Sequence, residues 1–124
     1  MQLLRKSHRE GDRRATYALA TWYIHGVVLK ADRAKAFRLL KMSAAAGIAD
    51  ASFDLARSYE VGYGTRKSPV KALECYIDSA SKHDVDAALQ VVRCVFWGIG
   101  AQRSKKLAYL IEDLVKGKIS FAPR

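Results

Sequence analysis

Residues 51–72 read ASFDLARSYEVGYGTRKSPVKA. Ala51, Leu55 and Tyr59 recur at four-residue spacing and make one apolar stripe on a helix of 3.6 residues per turn. Gly62 follows where the stripe ends, a position at which glycine closes a helix in the left-handed conformation. Gly64 loosens the connector further. Ser68 then offers a side-chain oxygen to free backbone N–H groups, and Pro69 suits a first helical position that needs no N–H. Ala72 begins a second apolar face. The stretch predicts a helix, a short connector and a second helix.

The same unit recurs along the chain at a lag of 36 residues. Ala15, Ala51 and Ala87 keep that spacing, as do Leu19, Leu55 and Val91, and Tyr23, Tyr59 and Val95. Gly26, Gly62 and Gly98 follow, then Asp32, Ser68 and Ser104, then Ala36, Ala72 and Ala108. Leu3, Leu4, Ser7 and Gly11 align with Leu39, Leu40, Ser43 and Gly47, so the chain opens on the tail of an earlier unit. The pattern predicts helices near 1–10, 13–25, 33–46, 49–61, 69–82, 85–97 and 105–116. It divides the chain into a partial repeat (1–11), repeats at 12–47 and 48–83, a degenerate repeat at 84–118 and a tail at 119–124. A lone helix pair cannot bury its apolar face, whereas about three stacked pairs can. The expected fold is all-α: an α/α superhelical solenoid of antiparallel helix pairs, about three and a half repeats long, in a single domain.

These residues resemble the Sel-one-like repeat family, relatives of the tetratricopeptide repeats. The resemblance is carried by Ala15, Leu19, Tyr23, Gly26, Asp32, Lys35, Ala36, Ala44, Ala45 and Gly47. It continues through Ala51, Leu55, Tyr59, Gly62, Gly64, Lys71, Ala72 and Ala80. Ala20 and Ala56 stand where the family has glycine after leucine, and Val28 where it has the second loop glycine. The third unit is degenerate, as a capping repeat would be. The resemblance implies an adaptor or scaffold for protein complexes, of a kind common in bacteria. Some cysteine-rich members are linked to β-lactam hydrolysis, but their cysteines recur repeat by repeat, which Cys75 and Cys94 do not.

Composition limits the remaining classes. Half of the 124 residues are hydrophobic and only two are proline, which argues against disorder. No apolar run reaches the roughly 18–20 residues of a membrane span, and the first residues lack a secretory apolar core. A cytoplasmic setting without membrane contact is expected. Two cysteines without zinc-ligand spacing read as small buried hydrophobes, not as a disulfide framework. No nucleotide loop, zinc motif or catalytic constellation is present, so no enzyme activity, cofactor or metal is expected. His83 falls at a helix end, as a cap or surface residue. Asp50, Asp54 and Glu60 share a helix, but nothing in their spacing suggests a pocket or a raised pKa.

The net charge is +10. Residues 1–41 carry ten Lys and Arg against three Asp and Glu, residues 42–86 carry five against seven, and residues 87–124 carry seven against two. Such a field favours acidic partners, nucleic acid or anionic surfaces, and its plainer reading is a solvated, solubilising face. On the first helix of each pair, the side opposite the packing stripe gives columns of equivalent residues: Tyr17, Phe53 and Leu89; Thr21, Arg57 and Arg93; Ile24, Glu60 and Phe96, with His25 and Trp97 beside them. In tetratricopeptide-like solenoids this side lines the concave face. Two readings of the aromatic column stand, a groove wall for a peptide or helix and core between repeats. Arg57 and Arg93 are expected to reach solvent and to suit a carboxylate.

A second surface is basic: Arg33, Lys35, Arg38 and Lys41 on one helix, and Arg103, Lys105 and Lys106 at the start of the last. As a phosphate-contacting patch it would serve nucleic acid. No run of aromatics interleaves with these charges in sequence, Phe37 standing alone among them, which favours the plainer reading of a solvated face. The expected function is thus a non-catalytic module binding a protein or peptide partner with acidic groups in the concave groove. The alternatives are a basic nucleic-acid binder and a small immunity or inhibitor protein for an acidic partner. The apolar edge at Leu3 and Leu4 would suit a homodimer or further repeats upstream.

Overall fold

The computed structural model describes residues 2–25 and 32–117. Within them the chain forms seven helices: α1 (Gln2–Arg9), α2 (Arg13–His25), α3 (Arg33–Ala45), α4 (Ala49–Val61), α5 (Pro69–Ser81), α6 (Val85–Trp97) and α7 (Lys105–Val115). The expected all-α solenoid is what the chain adopts, with helix ends within about a residue of those read from periodicity, as frayed ends allow. Each helix packs chiefly on its neighbours in sequence. Side chains also tie α2 to α4 and α4 to α6, so the first helices of the pairs stand side by side.

Capping follows the residue types. Asp32, Ser68 and Ser104 accept from the backbone N–H groups of Lys35, Lys71 and Leu107 at the starts of α3, α5 and α7. Each cap residue also donates its own N–H to the end of the preceding helix: Asp32 to Tyr23, Ser68 to Tyr59 and Ser104 to Val95, at 3.2, 2.8 and 3.0 Å. Gly62 and Gly98 end α4 and α6 in the left-handed conformation. Gly26 and Val28 lie outside the described residues. His83 is exposed just beyond α5 with a φ of +69°, in keeping with its reading as a helix-end residue.

The second loop glycines are not there to loosen the connector. A Cβ on Gly64 would collide with the carbonyl group of Arg33, and one on Gly100 would collide with that of Pro69. Each loop lies directly on the first turn of the preceding repeat's second helix. These glycines are contact points between repeats, and the spacing of 36 residues carries from glycine to carbonyl partner alike.

The core runs the length of the stack. Ala20, Ala36, Leu40, Ala51, Ala56, Ala72 and Cys94 are fully buried. Ala20 and Ala56, where the resemblance expected glycine, still let adjacent helices approach closely. Ser43 and Ser79 are also fully buried one repeat apart, and both are satisfied, by the carbonyls of Leu39 and Ala49. Cys75 is half-buried in α5. Both thiols are free.

Candidate partner-binding face

The columns expected on the first helices do converge, and α4 is their centre. Two clefts open on this face. One, of about 340 Å³ between α2 and α4, is lined by Thr21, Ile24, His25, Asp54, Arg57, Ser58, Val61 and Tyr63. The other, of about 330 Å³ between α4 and α6, is lined by Phe53, Arg57, Glu60, Val61, Tyr76, Gln90 and Arg93. Arg57 and Val61 border both. Val61 is 65% exposed, well above what a buried helix residue shows.

The individual side chains divide into those held by the chain and those left open. Tyr17 is half-buried and donates its hydroxyl to Asp54 Oδ2 at 2.7 Å. Thr21 donates to the Ala18 carbonyl within its own helix. Phe53 is half-buried with its ring edge-on to Tyr76 of its own repeat, 5.5 Å between centroids, so it packs against the core within that repeat and also takes a place in the cleft wall. Leu89 is exposed. Phe96 is half-buried against the edges of Trp97 and Tyr109, while Trp97 itself is 64% exposed.

The two arginines differ. Arg93 donates to Glu60 at 2.7 Å and to Gln90 at 2.8 Å, and Tyr76 donates to the same Glu60 carboxylate oxygen at 2.9 Å. The hydrogen bond from Arg93 holds Glu60 below the ordinary carboxylate range, partly opposed by burial. Arg57 is exposed and takes part in no hydrogen bond or ion pair with the described residues. Both arginines reach solvent, Arg93 only in part, and the carboxylate that Arg93 binds is the chain's own: Glu60 stands one turn from Arg57 in sequence but serves Arg93 in space. Spacing within a helix does not reveal which neighbour a side chain reaches across a seam.

Asp54 is the residue the sequence reading passed over. It lines the first cleft, and burial pushes its carboxyl up, offset in part by the hydrogen bond from Tyr17. The expectation of no pocket and no raised pKa on α4 fails on both counts. Tyr76 reads in sequence as part of the apolar face of the second helix, and its repeat equivalent is the wholly apolar Leu40, so its hydroxyl's contact with Glu60 gave no signal. Among the described residues, no group of three or more His, Cys, Asp or Glu is arranged to hold a metal ion.

The basic residues are not free of aromatics either. Arg33 lies over Tyr63, Lys35 over Tyr23, Lys41 over Phe37, Arg103 over Trp97 and Lys105 over Phe96, at 5.2, 4.8, 5.7, 6.0 and 5.7 Å from the ring centroids. Lys71 repeats the Lys35 arrangement over Tyr59 at 5.6 Å. Most of this interleaving is invisible in sequence, because all these rings but Phe37 come from another helix or loop. These cations are partly committed to the chain's own rings. Arg38 and Lys106 are exposed. The two halves of the expected patch stand on α3 and at the start of α7, in the first and last repeats.

Comparison with known proteins accords with this architecture. The Sel1 repeat model matches residues 13–48 and 49–84. The chain belongs to the Sel1 repeat family. Sel1 repeats are, as a class, protein–protein interaction modules, typically without catalysis. Among solved structures, the Sel1 repeat protein from Oxalobacter formigenes shares 24% identity at a TM-score of 0.83, covering 97% of this chain and 90% of that one. The protective antigen c5321 of uropathogenic Escherichia coli, described as displaying an SLR fold, gives 21% identity and a TM-score of 0.89. It covers 97% of this chain but only 26% of the antigen. Helicobacter pylori cysteine rich protein B gives 19% identity and a TM-score of 0.69, covering 95% of this chain and 90% of that one. These likenesses show the shared fold. No curated protein sequence matches the chain. No helix among the described residues is long and apolar enough to cross a membrane.

Proposed function

We propose that this Sel1 repeat chain is a non-catalytic docking module whose partner, a segment of another protein, lies along the face formed by α2, α4 and α6. The observation that carries the reading is the pair of clefts flanking α4, with exposed Val61 and exposed Arg57 on their shared border. An apolar contact beside a guanidinium outside any hydrogen bond or ion pair is the composition of interface anchors. Arg93 belongs to the frame of the face, since Glu60, itself steadied by Tyr76, and Gln90 already hold it in place.

The test is a pull-down from nuclease-treated lysate of the source cells with the native chain, Val61→Asp and Arg57→Glu as baits, each checked for native helicity. Both substitutions fall at exposed positions, so neither disturbs the core. The expected result is a protein retained by the native chain and lost by both variants. Identical retention on all three baits would move the interaction off this face.

A further inference from the structure

The repeat provides its own control for Arg57. Arg57 and Arg93 are equivalent residues of successive repeats, 36 apart, and so are Ile24 and Glu60. At the seam between α4 and α6, Glu60 reaches Arg93 and the two charges satisfy each other. At the seam between α2 and α4 the same geometry presents Arg57, but Ile24 stands where the glutamate would be. The tyrosine that steadies Glu60 has also gone, since its equivalent is buried Leu40. The cleft beside Arg57 thus keeps the arginine of a built ion pair, lacks the glutamate that bonds it at the next seam, and is walled by apolar Ile24, Val61 and Tyr63; Asp54 and Glu60 act on Arg57 through their charge alone, with no hydrogen bond or ion pair to it.

We propose that the cleft between α2 and α4 receives an acidic side chain of the partner protein, whose carboxylate takes on Arg57 the place Glu60 takes on Arg93. A neighbouring apolar side chain of the same segment rests against Ile24, Val61 and Tyr63. Charge complementarity selects the occupant: a guanidinium at an apolar cleft binds a carboxylate through charge-assisted, two-pronged hydrogen bonds. Asp54 shares the cleft and its charge is felt by Arg57, but the two form no hydrogen bond or ion pair, and the Asp54 carboxylate accepts the Tyr17 hydroxyl. The inference rests on the docking-face reading and names the chemistry of one contact within it.

A display library of random peptides, selected on the full chain, tests it even while the partner is unidentified. Enriched peptides are expected to carry Asp or Glu beside an apolar residue. The strongest, made synthetically, is expected to lose roughly tenfold or more in affinity on Arg57→Gln and on Ile24→Glu, which supplies the carboxylate from within. Changing the peptide's acid to its amide should weaken binding to the native chain and add little on Arg57→Gln. Peptides without an enriched acid, or affinity within about twofold on Arg57→Gln, would overturn the proposal. Peptides lost on Val61→Asp but indifferent to Arg57→Gln would leave the docking face standing and remove its carboxylate. No enrichment, or binding indifferent to all three substitutions, would remove both.

Discussion

The guanidinium of Arg93 on α6 lies 2.7 Å from the carboxylate of Glu60 on α4, bridging two successive repeats. Both groups are partly sheltered, and Tyr76 and Gln90 fix their geometry. Such a network should couple measurably, where an isolated surface pair often does not. Arg93→Ala and Glu60→Gln are each expected to destabilise by about 1–2 kcal/mol, with a coupling energy near about 1 kcal/mol in the double-mutant cycle. Arg57→Ala, at the equivalent position without an ion pair or hydrogen bond, is expected to stay within about 0.5 kcal/mol of the native chain. Urea unfolding of the four variants and the native chain measures all of these. Equal losses at Arg57 and Arg93 would show that the pair has no special role.

The same network has a pH signature. Glu60 has its folded pKa lowered, chiefly by the hydrogen bond from Arg93. Its contribution is therefore fully present above the ordinary glutamate pKa of about 4.3 and is lost as pH falls through the lower folded value. The stability gap between the native chain and Glu60→Gln should narrow in acid, below about pH 4.3. Asp54 has the opposite sign, because burial raises its folded pKa. Asp54→Asn should therefore gain relative to the native chain as pH rises through the carboxylate range. Stability curves taken across that range for both variants check the two directions against each other.

Gly64 offers a test of the contact between repeats. Gly64→Ala would combine a positive φ of 72° with a Cβ driven against the Arg33 carbonyl, so strain and overpacking add. Gly11 has a φ of 87° with nothing within 4 Å of the added carbon, so Gly11→Ala carries strain alone. The expected costs are about 3 kcal/mol for Gly64→Ala and about 1 kcal/mol for Gly11→Ala. Gly100→Ala, against Pro69, should match Gly64→Ala. Thermal or urea unfolding that ranks all three equally would show that the repeats move apart at little cost.

The difference between those glycines marks where sequence reading stopped. A lag of 36 residues made the helices, caps and stacked fold legible, because each depends on residues close in the chain. The columns on α2, α4 and α6 were legible for the same reason, since equivalence between repeats places residues on one face. The pairing across that face was not. Glu60 has Arg57 on its own helix, within one turn, yet bonds Arg93, 33 residues further on. Whether a loop glycine serves flexibility or contact depends on a carbonyl in another repeat, and the rings beneath Lys35 and Arg103 come from other segments. Periodicity reports which residues are alike, not which of two like residues has found a partner.

The two thiols should behave as core groups. Cys94 is fully buried, and burial raises its pKa. Cys75 is half-buried in α5, and burial with nearby Asp78 and Glu74 pushes its thiol up to about 11. Because the thiolate is the reactive form, Cys75 should alkylate slowly at neutral pH, its rate rising about tenfold per pH unit until near that value. Cys94 should react only as the chain unfolds, so its labelling rate should follow global stability and rise in Gly64→Ala. Timed alkylation with mass-spectrometric assignment separates the two sites. Rapid labelling of Cys94 in the native chain would mean that α6 leaves the stack far more readily than its burial implies. Rapid labelling of Cys75 at neutral pH would mean that its surroundings favour the thiolate, contrary to the carboxylates on its own helix.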